Sequence, residues 1–143
     1  MTVGSSPMQR IIFLYFLVNL SLVPPLALAG SSGDPLKGEA VLRDMGRASC
    51  LICHKISNLL DEKDQGEIGP ALDNAGDQFT ASELRARIMD ARQINPDSIM
   101  PPYFSTKGLH NVARAYQGQT IYSAEDVENV VAYLLSLKEE TSQ

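Results

Sequence analysis

Five consecutive residues carry most of the chemistry open to this chain: Cys50, Leu51, Ile52, Cys53 and His54, a C-x-x-C-H run. It contains both cysteines of the 143 residues and one of the two histidines. Thiols at this spacing on a helical turn can each add to one vinyl group of a haem, and the imidazole that follows can ligate the iron. The run therefore predicts one covalent haem c, with Cys50 and Cys53 as thioethers and His54 as an axial ligand. Other uses of a C-x-x-C fit less well. A thioredoxin-like dithiol needs a βαβ setting, and no strand-rich stretch precedes Cys50. A structural zinc site needs two further thiolates or imidazoles, and only His110 remains. A plain disulfide stays open.

A six-coordinate iron needs a second axial ligand, for which the candidates are Met45, Met89, Met100 and His110. Met45 lies too close to Cys50 to reach across a ring. Met89 falls within a predicted helix beside Ile88, where methionine is usually core filler. His110 sits in a Gly-Leu-His-Asn-Val stretch that reads as a solvated loop. Met100 stands in Ile99-Met100-Pro101-Pro102-Tyr103-Phe104, held extended by its two prolines, and is the expected ligand opposite His54. A ligating histidine normally donates its other ring N–H to a carbonyl, and Pro70, one loop after the haem motif, is the expected acceptor. Leu72, Tyr103, Phe104, Leu109 and Tyr116 are candidate pocket residues. No free thiolate and no acid/base pair suggest a catalytic residue of this chain's own.

These residues must be placed by a small all-α domain. A helix should open at Asp34-Pro35, an N-cap and a first-turn proline, and run to Arg43–Met45, with Leu36, Ala40 and Val41 on its apolar face and Gly46 breaking it. A haem-attachment helix is expected from Ser49 to Ile56. Asp61 to Glu67 reads as a charged, insertion-tolerant surface loop. A capping box of Thr80 and Glu83 starts a helix to about Arg92, with Leu84, Ile88 and Ala91 as its stripe. Asn95 to Ser98 is turn chemistry. Ser123 caps a last helix to about Lys138, burying Val127, Val130, Val131, Leu134 and Leu135, with Tyr133 and Leu137 flanking. The result is about four helices with long loops, wrapped around the haem. So small a core would be marginal alone.

The N-terminus points outside the cytoplasm. Arg10 precedes a mostly apolar run from Ile11 to Val23, then Pro24-Pro25 and Ala27-Leu28-Ala29. This is the pattern of a secretory signal over residues 1–29, cleaved after Ala29, and too short for a comfortable membrane span. Residues 30–143 are then a cytochrome domain in the periplasm. The chain has 12 Lys+Arg against 17 Asp+Glu, a formal net charge of −5, and loses one more positive charge with Arg10. An acidic surface argues against nucleic acid and suits a basic redox partner.

Taken together, C-x-x-C-H, Gly69-Pro70-Ala71-Leu72, a Met100-Pro101 loop and an amphipathic C-terminal helix resemble a class I cytochrome c over essentially the whole domain. The stretch Asn95-Pro96-Asp97-Ser98-Ile99-Met100-Pro101-Pro102-Tyr103, with Ala115-Tyr116-Gln117-Gly118 and Ile121 to Leu134, is similar to the SoxX family. Those are the monohaem subunits of periplasmic SoxAX cytochromes. The resemblance implies a heterodimer with a SoxA-like subunit that oxidatively joins thiosulfate to a cysteine of the SoxYZ carrier, an L-cysteine S-thiosulfotransferase activity, and passes electrons to an acceptor cytochrome c. In that family the reactive cysteine ligates a haem in the partner. The alternative of another kind is a free-standing soluble cytochrome c that carries electrons to a terminal oxidase or other redox partner.

Overall fold

Helix α1 (Pro35–Arg43) begins where Asp34 turns its carboxylate back to accept from the amides of Leu36, at 2.9 Å, and Lys37, at 3.4 Å. Proline at the first helical position costs no hydrogen bond there. The computed structural model describes residue 1 and residues 33–139, so the expected secretory segment lies, Met1 apart, outside the described residues. Among these residues there are four α-helices, four single 3-10 turns and no strand. The helices are α1, α2 (Ala75–Gln78), α3 (Ala81–Asp90) and α4 (Ala124–Ser136).

The buried face of α1 differs from the expected one. Gly38, Val41 and Leu42 are buried, whereas Ala40 is exposed and Leu36 is 79% exposed. Gly38 explains the rotation. A β-carbon there would lie 2.0 Å from the Asn129 carbonyl oxygen, so α1 touches α4 backbone to backbone at this point. Only glycine permits that approach. The crossing also turns Asn129 inward, where its side-chain oxygen accepts from the Asp34 amide at 2.8 Å. The helix stops at Asp44 rather than Gly46, because the Asp44 carboxylate takes the Gly46 amide and starts a 3-10 turn over Met45–Arg47.

The haem-attachment helix expected over Ser49 to Ile56 is only a 3-10 turn, Cys50–Ile52, closed by His54 N–H donating to the Cys50 carbonyl at 2.9 Å. The following loop ends it. The Gly66 amide takes the Leu51 carbonyl at 2.8 Å, and a β-carbon on Gly66 would fall 2.0 Å from the Ile52 carbonyl oxygen. Those two carbonyls are the ones a continuing helix would need. The Gln65 side chain takes both the amide and the carbonyl of Ile56, at 2.6 and 3.1 Å. Asp61 and Glu62 bind Arg43 at 3.0 and 2.6 Å. The Asp61 to Glu67 segment is a surface loop, as expected, but one pinned at several points.

Capping boxes start both long C-terminal helices, Thr80 with Glu83 and Ser123 with Asp126. Leu84, Ile88 and Ala91 are buried, as are Val127, Val130, Val131 and Leu134, while Leu135 is half-buried and Tyr133 and Leu137 close the core. The four-residue α2 was not expected from the sequence. It docks on the end of α4 through the Gly76 amide, which donates to the Leu137 carbonyl at 2.8 Å. The helices form one wall of the core and leave the long segments 53–74 and 91–123 to close the other.

Candidate haem site

The loop holding Met100 is tied down on both sides. Asn95 opens a turn by accepting from the Asp97 amide at 3.1 Å, and the Ser98 hydroxyl accepts from the Met100 amide at 3.3 Å. Beyond the two prolines, the amides of Tyr103 and Phe104 donate to the Ile88 and Met89 carbonyls at 3.2 and 3.1 Å, clamping the loop to the end of α3. Tyr103 then receives the Tyr122 amide on its own carbonyl at 2.8 Å, stacks on the Tyr122 ring with centroids 4.5 Å apart, and donates its hydroxyl to the Ala48 carbonyl at 3.0 Å. One aromatic pair therefore joins the Met100 loop to the segment just before the C-x-x-C-H run.

The haem motif faces the same space. Cys50 and Cys53 carry free thiols, and the Cys50 sulfur lies 3.8 Å from the Tyr122 hydroxyl. Burial pushes the Cys50 thiol above its ordinary pKa, against a weaker pull from the Tyr122 and Tyr103 hydroxyls. A redox dithiol works through a lowered pKa, so Cys50 is poorly suited to that role. The same burial holds the two phenols protonated, with pKa values raised well above the usual tyrosine range. Among the described residues no cluster of three or more His, Cys, Asp and Glu side chains could hold a separate metal, which leaves the zinc reading without ligands.

Behind the motif, His54 Nδ1 lies 2.7 Å from the Pro70 carbonyl oxygen. Proline brings no N–H of its own to that position. Gly69 lies flat against the ring: a β-carbon there would stand 2.3 Å from His54 Cε1 and 2.6 Å from Nδ1. Its amide donates to the Cys53 carbonyl at 2.7 Å. Gly69-Pro70 thus supports the imidazole twice, by an acceptor and by a missing side chain. The sequence pointed to the carbonyl; the steric role of Gly69 went unread, although a glycine beside the acceptor was the available signal.

Cys50, Cys53, His54, Pro70 and Met100 all line one cavity of about 570 Å³, with Leu72, Leu84, Ile88, Tyr103 and Leu134 among its apolar walls. Pockets for cofactor-sized ligands run from ~300 to 1,000 Å³. Size, apolar lining and the pairing of an imidazole with a thioether fit a haem. The remaining candidates lie elsewhere. Met45 is 70% exposed, Met89 packs against the core outside the cavity lining, and His110 is exposed in its loop. Of the expected pocket residues, Phe104 packs on the core without lining the cavity, and Leu109 and Tyr116 line a separate surface cleft of about 330 Å³. The 3-10 turn Arg114–Tyr116 and the left-handed backbone at Gly108, Asn111 and Gly118 belong to that segment.

The sequence matches the cytochrome c family model over residues 36–138. A chain of the crystal structure of SoxXA from P. pantotrophus is similar, with 31% sequence identity and a TM-score of 0.68, covering 78% of this chain and 87% of that one. No curated protein matches the sequence. With the helical fold, the C-x-x-C-H run and the apolar cavity in place, the chain belongs to the cytochrome c family, as a SoxX-like monohaem cytochrome with covalently bound haem c.

Proposed function

We propose that this cytochrome is the periplasmic electron-transfer subunit of a SoxAX-type complex, paired with a SoxA-like cytochrome subunit. Within it, Cys50 and Cys53 would hold the haem through thioethers, and His54 Nε2 and the Met100 sulfur would ligate its iron. When bound, the haem supplies one-electron redox chemistry at its iron. The chain's own residues set the conditions for it. His54 Nδ1–H donating to Pro70 fixes the tautomer that leaves Nε2 free to ligate. The Met100 loop, fastened at Ser98 and Tyr103, holds a thioether ligand that favours the ferrous state.

The similarity to SoxXA at 31% identity over 78% of the chain carries this reading. The sequence adds that no thiol remains beyond Cys50 and Cys53, so the sulfur chemistry belongs to other components. In the overall reaction the thiol of the SoxYZ carrier and thiosulfate become joined by a new S–S bond, with release of one proton and two electrons. The electrons leave through the haems to an acceptor cytochrome c. The complex would act as an L-cysteine S-thiosulfotransferase, with this chain as an electron conduit.

Thiosulfate-dependent reduction of an acceptor cytochrome tests the proposal in a mixture of this holoprotein, a SoxA-like subunit and SoxYZ. Reduction should require all three. Full activity with this chain omitted would refute the assignment, and direct reduction of a terminal oxidase by the chain alone would favour a free-standing carrier.

A further inference from the structure

The Tyr122 amide donates to the Tyr103 carbonyl at 2.8 Å, so the chain between them, residues 104–121, leaves the core and returns to the same point. Both tyrosines line the haem cavity, which roots this excursion at the cofactor site. Loops closed at the neck in this way are frequently functional, and connections without regular structure are uncommon beyond ~12–15 residues. From Thr106 to Ile121 no residue is buried, and all but Val112 are exposed. The loop holds its shape from within. The Tyr116 amide donates to the Ala113 carbonyl at 2.8 Å, and the Gln119 amide and side chain donate to Tyr116 and Ala115 carbonyls, each at 3.1 Å. At its base Arg92, bound to Asp90, donates to the Lys107 carbonyl at 2.8 Å. The segment is displayed rather than packed.

Its surface chemistry is opposite to that of the chain as a whole. The protein has a formal net charge of −5, yet no carboxylate occurs between Asp97 and Glu125, where Lys107 and Arg114 stand. Among the described residues neither cation enters an ion pair. Beside them Leu109, Val112 and Tyr116 line the surface cleft of about 330 Å³, and Tyr116 is 67% exposed. Cations around an apolar cleft complement a face that carries carboxylates around an apolar side chain. So few apolar groups among polar ones suit a small, transient electron-transfer encounter, which buries less than ~1,200 Å², rather than a permanent interface.

We propose that the loop of residues 104–121 is where the acceptor cytochrome c docks, by a face of that protein bearing carboxylates. This rests on the electron-transfer role proposed above and gives that role an exit surface. The net negative charge of the chain repels an acidic acceptor everywhere else, so Lys107 and Arg114 orient the encounter. One electron passes from the ferrous haem of this chain to the ferric haem of the acceptor, with no bond made or broken.

The test uses the reduced holoprotein and two ferric probes: lysine-rich mitochondrial cytochrome c, and the same protein succinylated so that its lysines carry carboxylates. Lys107→Glu with Arg114→Glu is compared with Lys63→Glu with Lys138→Glu, an equal change of net charge at exposed positions outside the loop. Haem staining and Tm first establish that each protein is folded and loaded. In stopped-flow mixing at low ionic strength, the loop pair should slow transfer to the succinylated probe roughly tenfold more than the control pair does. Added salt should shrink that difference, and the lysine-rich probe should not show it. Equal slowing by the two pairs, or none, would overturn the proposal. Every variant should copurify with the SoxA-like subunit as the wild type does; its loss from the loop pair alone would give the loop to that permanent partner and overturn the acceptor assignment. A wild-type holoprotein that reduces neither probe would instead overturn the electron-transfer reading itself.

Discussion

At the scale of single residues, the site depends on what is missing as much as on what is present. Replacing Gly69 by Ala would put a β-carbon 2.3 Å from His54 Cε1, and His54 cannot retreat without leaving the Pro70 carbonyl. The Gly69→Ala holoprotein should show a perturbed low-spin spectrum and a lower Tm, the cost of such overpacking being about 1–3 kcal/mol; an unchanged spectrum and Tm would mean the ring has freedom the packing denies. Met100→Ala should abolish the weak far-red charge-transfer band that marks a thioether on ferric haem, and lower the midpoint potential. His110→Ala should change neither, because His110 is exposed and absent from the cavity lining. Optical spectroscopy with redox titration checks both, and the opposite pattern would transfer the ligand role to His110. The motif residues were legible because thioether attachment imposes spacing on the sequence. Gly69 was not, since a glycine's use lies in what it approaches.

At the scale of elements, hydrophobic pattern and capping located the long helices, whereas backbone contact decided the rest. The capping boxes at Thr80 and Ser123 are local and readable. The rotation of α1 onto Gly38, and the cut-off of the helix after Cys53 by Gly66 and Gln65, are set by residues remote in sequence. Gly38→Ala should destabilise the fold by at least the ~1–3 kcal/mol of ordinary overpacking, since the obstacle is the Asn129 backbone; thermal denaturation measures it. The end of α3 gives a pH-dependent case. Asp90 is buried, and the Arg92 guanidinium holds its carboxyl down to about 2. An unfolded aspartate titrates near ~3.9. A depressed folded value stabilises fully above the unfolded one, and the contribution is lost as pH falls toward the folded one. Arg92 also donates to the Lys107 carbonyl at 2.8 Å, so this pair anchors the chain beyond the Met100 loop. Wild type should lose more Tm than Asp90→Asn between about pH 5 and pH 2. Parallel pH curves for the two proteins would show that the pair contributes no such linkage.

At the scale of the whole molecule, α3 and α4 supply part of the cavity lining, and irregular chain around the C-x-x-C-H run, Gly69-Pro70 and Met100 supplies most of the rest. A core of this kind is small for a domain of its length, and the apolar cavity interrupts it, so folding and haem attachment should be coupled. The fold class was legible from pattern and motif together. The docking of the short helix α2 on the end of α4, and the diversion of segment 106–119 into its own cleft, had no periodic signal to announce them. No helix among the described residues is long and apolar enough to cross a membrane. The proposed role requires one covalent haem held by Cys50 and Cys53 in a chain whose N-terminal segment directs export. Denaturing gel electrophoresis of a periplasmic fraction, stained for haem, tests it most directly. A haem-stained band is expected at the mass of the chain beginning near Gly30, with loss of the stain and most of the folded protein when both cysteines are replaced by alanine. An unstained chain at that mass, or a stain that survives the double replacement, would contradict it.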